Sequence, residues 1–159
     1  MKRIIPFLLI IPVLITGCKI KSYTPELPVV FKQSATVSSG DFSFECEICC
    51  DESSCVVNIL STKAQGLCYK YDGKALLFKY DDFEYSIEAD SSLQGNTAVI
   101  MYELCRYIST DEEINVKRIE DGYKYEGEID FGYFILIQNE DNTLRSLSFR
   151  NSDFVVNFK

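Results

Sequence analysis

Phe42-Ser43-Phe44-Glu45-Cys46-Glu47-Ile48 places a large apolar or sulfur side chain at every second residue, with serine or glutamate between. Successive side chains of a strand point to opposite faces, so this period describes a strand with one face buried and the other in water. Tyr123, Tyr125, Ile129 and Phe131 alternate in the same way with Lys124, Glu126, Glu128 and Asp130. Compact turn signals separate such runs: Asp72-Gly73, Asp121-Gly122 and the stretch 139–142. The two Asp-Gly pairs are expected to form type I′ hairpin turns. The pattern predicts strands over 29–37, 41–50, 55–61, 66–71, 74–80, 83–88, 114–120, 123–131, 133–138, 144–150 and 153–158. Short strands joined by tight turns imply an antiparallel meander.

One segment breaks the period. Leu93, Thr97, Ile100, Met101, Leu104 and Ile108 recur at steps of three and four, with Cys105 beside them, which is the stripe of an amphipathic helix over 92–108. Ser91, Ser92 and Asn96 are candidate caps, so the helix start falls between 92 and 97. A curved sheet of about ten strands with one helix in mid-order predicts a mainly β (α+β) fold: an antiparallel unclosed barrel with the helix covering its concave face.

The front of the chain is of another kind. Lys2 and Arg3 precede an apolar run from Ile4 to Ile15, and Ile15-Thr16-Gly17-Cys18 closes it with small residues before a cysteine. Twelve residues interrupted by Pro6 and Pro12 are too few for a span of ~20. Residues 1–17 are therefore expected to be a lipoprotein signal peptide ending in a lipobox, with Cys18 lipidated. Two acyl chains anchor a protein stably where one does not. The expected location is the extracytoplasmic face of a cell membrane. Residues 18–28 form the lipidated cysteine and a tether holding Pro25 and Pro28, and 29–159, free of proline, form one domain.

Charge and residue types exclude several functions. Loss of Lys2 and Arg3 with the leader takes the formal charge from −8 to −10, which repels nucleic acid and anionic headgroups. The absence of histidine removes the usual general base and triads, and no phosphate loop or Gly-x-Ser-x-Gly elbow is present. The expectation is a non-enzyme without cofactor. Cys46, Cys49, Cys50 and Cys55 tempt a zinc reading, yet Cys46 and Cys49 on one strand point to opposite faces, so no metal is expected. Cys46 and Cys50 share a face but stand about 13 Å apart along the strand. Cys50 with Cys55 is the feasible disulfide across the polar loop 51–54, and Cys49 competes for Cys55. Cys68 and Cys105 read as small core residues, and all six thiols could stay reduced in an anaerobe.

The order of lipobox, spacer, Phe31-Lys32-Gln33, hairpins, Gly66-Leu67-Cys68-Tyr69-Lys70-Tyr71-Asp72-Gly73, helix and second meander resembles LolA/LolB-like lipoprotein carriers, in the lipid-anchored form found in Gram-positive bacteria. The resemblance implies an unclosed β-barrel whose helix plugs an apolar cavity able to take acyl chains. Drawn from the apolar strand faces and the helix stripe, the cavity candidates are Phe42, Phe44, Ile48, Val57, Ile59, Leu67, Tyr69, Tyr71, Met101, Leu104, Tyr125 and Ile129. Each of these also suits an ordinary β core. The expected function is non-catalytic binding of an acyl chain or other hydrophobic ligand after the helix moves aside. The alternative is an envelope scaffold lipoprotein with a filled interior that contacts another envelope protein. Cavity volume separates the two.

Overall fold

The computed structural model describes Leu27, residues 29–110 and residues 114–159. The expected signal peptide, Cys18, all of the tether but Leu27, and the acidic run 111–113 lie outside the described residues. The elements are β1 (Phe31–Ser39), β2 (Phe42–Cys50), β3 (Cys55–Ile59), β4 (Cys68–Tyr71), β5 (Ala75–Tyr80), β6 (Phe83–Glu88), α1 (Thr97–Thr110), β7 (Asn115–Ile119), β8 (Gly122–Ile129), β9 (Gly132–Asn139), β10 (Leu144–Phe149) and β11 (Val155–Phe158). A short 3-10 turn, Ser91–Leu93, precedes α1. All the strands join one sheet in the order β6-β5-β4-β3-β2-β1-β11-β10-β9-β8-β7, and every pairing is antiparallel. β6 and β7 are free edges, so the sheet is not closed.

Two-residue connections set much of the register. Ser39 pairs with Phe42, Tyr80 with Phe83, Ile119 with Gly122 and Ile129 with Gly132. A one-residue slip would turn each apolar row outward, so the alternation itself holds these pairings. Curvature follows from the helix contacts. Tyr102 meets Tyr71 of β4 edge-on at 5.2 Å between ring centroids, while Tyr107 of the same helix meets Phe134 of β9 at 5.6 Å. Six strand steps separate β4 from β9, about 29 Å in a flat sheet. A helix ~10 Å across reaches both only if the sheet wraps around it.

The expected type I′ turns do not form. Neither Asp72 nor Asp121 has positive φ, which that turn requires at both central residues. The β4–β5 connection runs instead over 72–74, and Asp72 Oδ1 accepts hydrogen bonds from the backbone N–H groups of Lys74 and Ala75, each 2.9 Å. In the β7–β8 hairpin the connecting residues are Glu120 and Asp121, and Gly122 already belongs to β8. The helix begins at Thr97, the late end of the expected window, with Asn96 accepting from the Ala98 N–H at 2.9 Å.

Acidic side chains cap the loops. Hydrogen bonds from the backbone N–H groups of Ala75 and Lys74 hold the Asp72 carboxyl below its ordinary range. The Ser53 hydroxyl and N–H do the same for Asp51, and the Thr143 hydroxyl and N–H for Asp141. Each such group stabilises the fold above the ordinary carboxylate pKa and loses that contribution as pH falls through its lowered folded value. An Asp72→Ala variant is therefore expected to melt below the wild type at pH 7. The gap should start to narrow as pH drops below about 4, the unperturbed carboxylate value, and close once pH is below the lowered folded value. Thermal melts at a series of pH values check this, and a gap that does not narrow at all below about pH 4 contradicts it.

Candidate functional site

The inner face of the sheet carries the apolar rows. Cys46, Ile48 and Cys50 of β2, Cys55, Val57 and Ile59 of β3, Leu76 of β5 and Tyr125, Phe134 and Leu136 across the far side are buried. α1 lies on this face, with Ile100, Met101, Leu104 and Cys105 in the same cluster. The helix stripe and the inner-face rows are buried against each other.

The helix covers only part of that face. Tyr102 sits over Tyr71 and the turn at Gly73, where a Cβ would come within 2.7 Å of the Tyr102 hydroxyl. This seats α1 over the end of β4 and β5 formed by Tyr71 and Leu76. At the other end the inward rows run out from under it. Tyr69 pairs with Phe78, Phe78 with Tyr85 and Tyr80 with Phe83, all on the inner face by register. Leu67, Phe78, Tyr80, Phe83, Tyr85 and Ile87 line an open groove of about 310 Å³. Phe83 is 66% exposed, Tyr85 56% and Tyr80 44%. Tyr69 stacks edge-on against Phe78 at 5.2 Å and walls the groove on the core side.

The sequence-derived candidates therefore divide. Leu67 lines the groove and Tyr69 borders it. Phe44, Ile48, Val57, Ile59, Tyr71, Met101, Leu104 and Tyr125 are buried in the core. Phe42 is exposed beyond the buried Phe44, its ring 5.8 Å from that of Phe44. Ile129 lies beside Glu103, Arg106 and Asp130 in a separate surface cleft. There, burial first and the Asp130 charge second raise the Glu103 carboxyl pKa. Phe78, Tyr80, Phe83, Tyr85 and Ile87 were not among the candidates. Their signal is the symmetry of Leu76, Phe78 and Tyr80 with Phe83, Tyr85 and Ile87 about Asp81-Asp82.

The cysteines also converge. Cys50 and Cys55, the pair expected to be able to form a disulfide, face each other across β2 and β3 with their sulfurs in direct contact. The influence of the Cys105 thiol, then that of Cys55, then burial raise the Cys50 pKa. Burial, and next the Cys55 charge, push the Cys46 thiol up to about 12. Cys49 and Cys68 are half-buried on the outer face. Among the described residues no group of three or more cysteine and acidic side chains is placed to hold a metal.

No family model matches the chain, and no curated protein matches it. Among solved structures, a LolA superfamily protein from Nitrosomonas europaea is similar over 83% of this chain and 87% of its own, with a TM-score of 0.43 and 12% sequence identity.

Proposed function

We propose that this protein is a membrane-anchored lipoprotein that binds an acyl chain or another apolar tail without catalysis, in the open groove between β4 and β6. The carrying observation is the uncovered aromatic row: Tyr80, Phe83 and Tyr85 stand in solvent on the inner face of the sheet, around a groove lined only by apolar and aromatic side chains. Covering a large apolar side chain is worth on the order of 1.5–3 kcal/mol, so a tail laid along this row gains affinity from area alone. A volume near the lower bound of ligand sites, ~300 Å³, suits one tail and not a whole diacyl lipid. No residue of α1 lines the groove, so the ligand needs no displacement of the helix.

Cys18 supplies the anchor on this reading. The ten residues 19–28 reach at most about 35 Å, which keeps the groove close to the source of its ligand. A Cys18→Ala variant is expected to leave the membrane fraction of the cells that make it, and retention there overturns the anchor.

Titration with a fluorescent fatty acid tests the binding. The Phe83→Asp/Tyr85→Asp double variant is expected to bind at least ~10-fold more weakly, a loss of about 1.4 kcal/mol. Its stability should stay near the wild type, since exposed positions move it by only about 0.5 kcal/mol each. Equal binding by both proteins places the tail outside the groove, and no binding by the wild type favours the scaffold with a filled interior.

A further inference from the structure

β6 is the less guarded of the two free edges. The Ala89 N–H donates to the Lys74 carbonyl at 2.8 Å, and opposite residues alternate from there, so Glu88, Ser86 and Glu84 fall in the pairs that exchange no hydrogen bonds with β5. Their backbone N–H and C=O groups point away from the sheet, with no further strand beside them among the described residues. The β5–β6 register runs unbroken from Ala75 and Glu88 to Tyr80 and Phe83, and β6 holds neither proline nor lysine. Bulges, proline and lysine are the usual devices that blunt an edge. β7, at the other edge, carries Lys117 and Arg118, both exposed.

The side chains of β6 define what fits beside it. Phe83, Tyr85 and Ile87 share the inner face, whereas Glu84 and Glu88 lie on the outer face, exposed and without an ion-pair partner among the described residues. Asp81 and Asp82 add charge at the turn. A second β6 is a poor match: antiparallel pairing about Ser86 sets Glu84 opposite Glu88, and pairing about Tyr85 sets Asp82 opposite Glu88. A strand with apolar side chains inward and lysine or arginine outward is complementary on both faces.

We propose that β6 is a docking edge for an extended segment of a partner protein in which apolar and basic residues alternate, added to the sheet as one more strand. Main-chain hydrogen bonds to Glu84, Ser86 and Glu88 hold the segment, and its alternate side chains give specificity. The apolar ones pack beside Phe83, Tyr85 and Ile87, and the basic ones meet Glu84 and Glu88. Such a strand lengthens the wall of the groove without filling it, so docking does not depend on a bound tail.

The test titrates the full chain with an end-capped peptide of alternating valine and lysine, as long as β6, and then with its valine and glutamate counterpart. The wild type is expected to bind the lysine peptide and not the glutamate one. Ser86→Pro removes an outward N–H while keeping every charge and ring of the edge, and proline is tolerated where that N–H faces solvent. Its binding of the lysine peptide should be at least ~10-fold weaker. Glu84→Lys/Glu88→Lys should exchange the preference. Thermal melts identify folded variants. Should Ser86→Pro not fold, amide hydrogen exchange of the wild type reads the same contact, with Glu84, Ser86 and Glu88 slowed by the lysine peptide. The proposal is overturned by a wild type that ignores the lysine peptide, by undiminished binding to folded Ser86→Pro, by unprotected edge amides, or by a preference that charge reversal leaves unchanged. Self-association of the wild type that Ser86→Pro abolishes overturns it too, and assigns the edge to a second copy.

Discussion

Replacing Gly122 with alanine is expected to leave most of the protein unfolded at 25 °C. Gly122 is the first residue of β8, held between Ile119 of β7 and Asn139 of β9, with φ at 148°. A Cβ there would lie 1.9 Å from the Gln138 carbonyl oxygen and 3.0 Å from the Asn139 Cα, both backbone atoms of β9 that cannot rotate aside. The backbone conformation alone costs an L-residue about 1–3 kcal/mol, and parting β8 from β9 adds the lost ladder hydrogen bonds. Together these approach the ~5–15 kcal/mol that a domain has in total. Gly95→Ala is the matched control, since nothing lies within 4 Å of its Cβ and its φ is not positive. Urea unfolding should show Gly95→Ala within about 0.5 kcal/mol of the wild type. A Gly122→Ala protein that melts like the wild type contradicts the β8–β9 packing described above.

The second large effect is expected at the helix. Leu104 is 1% exposed and sits in the cluster that joins α1 to the sheet. Leu104→Ala removes buried methyl groups and leaves a cavity that the wrapped sheet fills only in part, at about 2–5 kcal/mol. Equilibrium unfolding measures it. A loss under about 1 kcal/mol would mean that the helix is not packed as an integral part of the core. The same variant separates two binding mechanisms. A tail lying in the open groove should bind the folded Leu104→Ala protein within about threefold of the wild type. A tail that must displace α1 should bind it more tightly, because the helix has become easier to move by that same free energy.

Much of this molecule is legible from residues that alternate or repeat. The eleven strands and the helix come from periods of two and of three to four, and the unclosed sheet with its inserted helix follows from their order. Turn chemistry was less legible. Asp-Gly suits a type I′ turn, but at Asp72 a carboxylate accepting two backbone N–H groups offers a better local arrangement, and at Gly122 the chain needed a residue without a Cβ inside the strand. The groove was half legible. Alternation about Asp81-Asp82 shows that Phe78 and Tyr80 share a face with Phe83 and Tyr85. How far the helix covers that face depends on where it starts, and a window of five residues at ~1.5 Å each is enough to bury or bare a strand end. Most of the other candidates are buried in the core instead.

The central claim is that an apolar tail lies on the bare end of the inner face while α1 stays in place. Intermolecular NMR contacts between a carbon-13-labelled fatty acid and the side chains of the full chain test it most directly. The account predicts contacts from the acyl chain to the rings of Phe78, Phe83 and Tyr85, with Met101 and Leu104 unperturbed. Contacts to Met101, Leu104 or Val57, or no bound fatty acid at all, would contradict it.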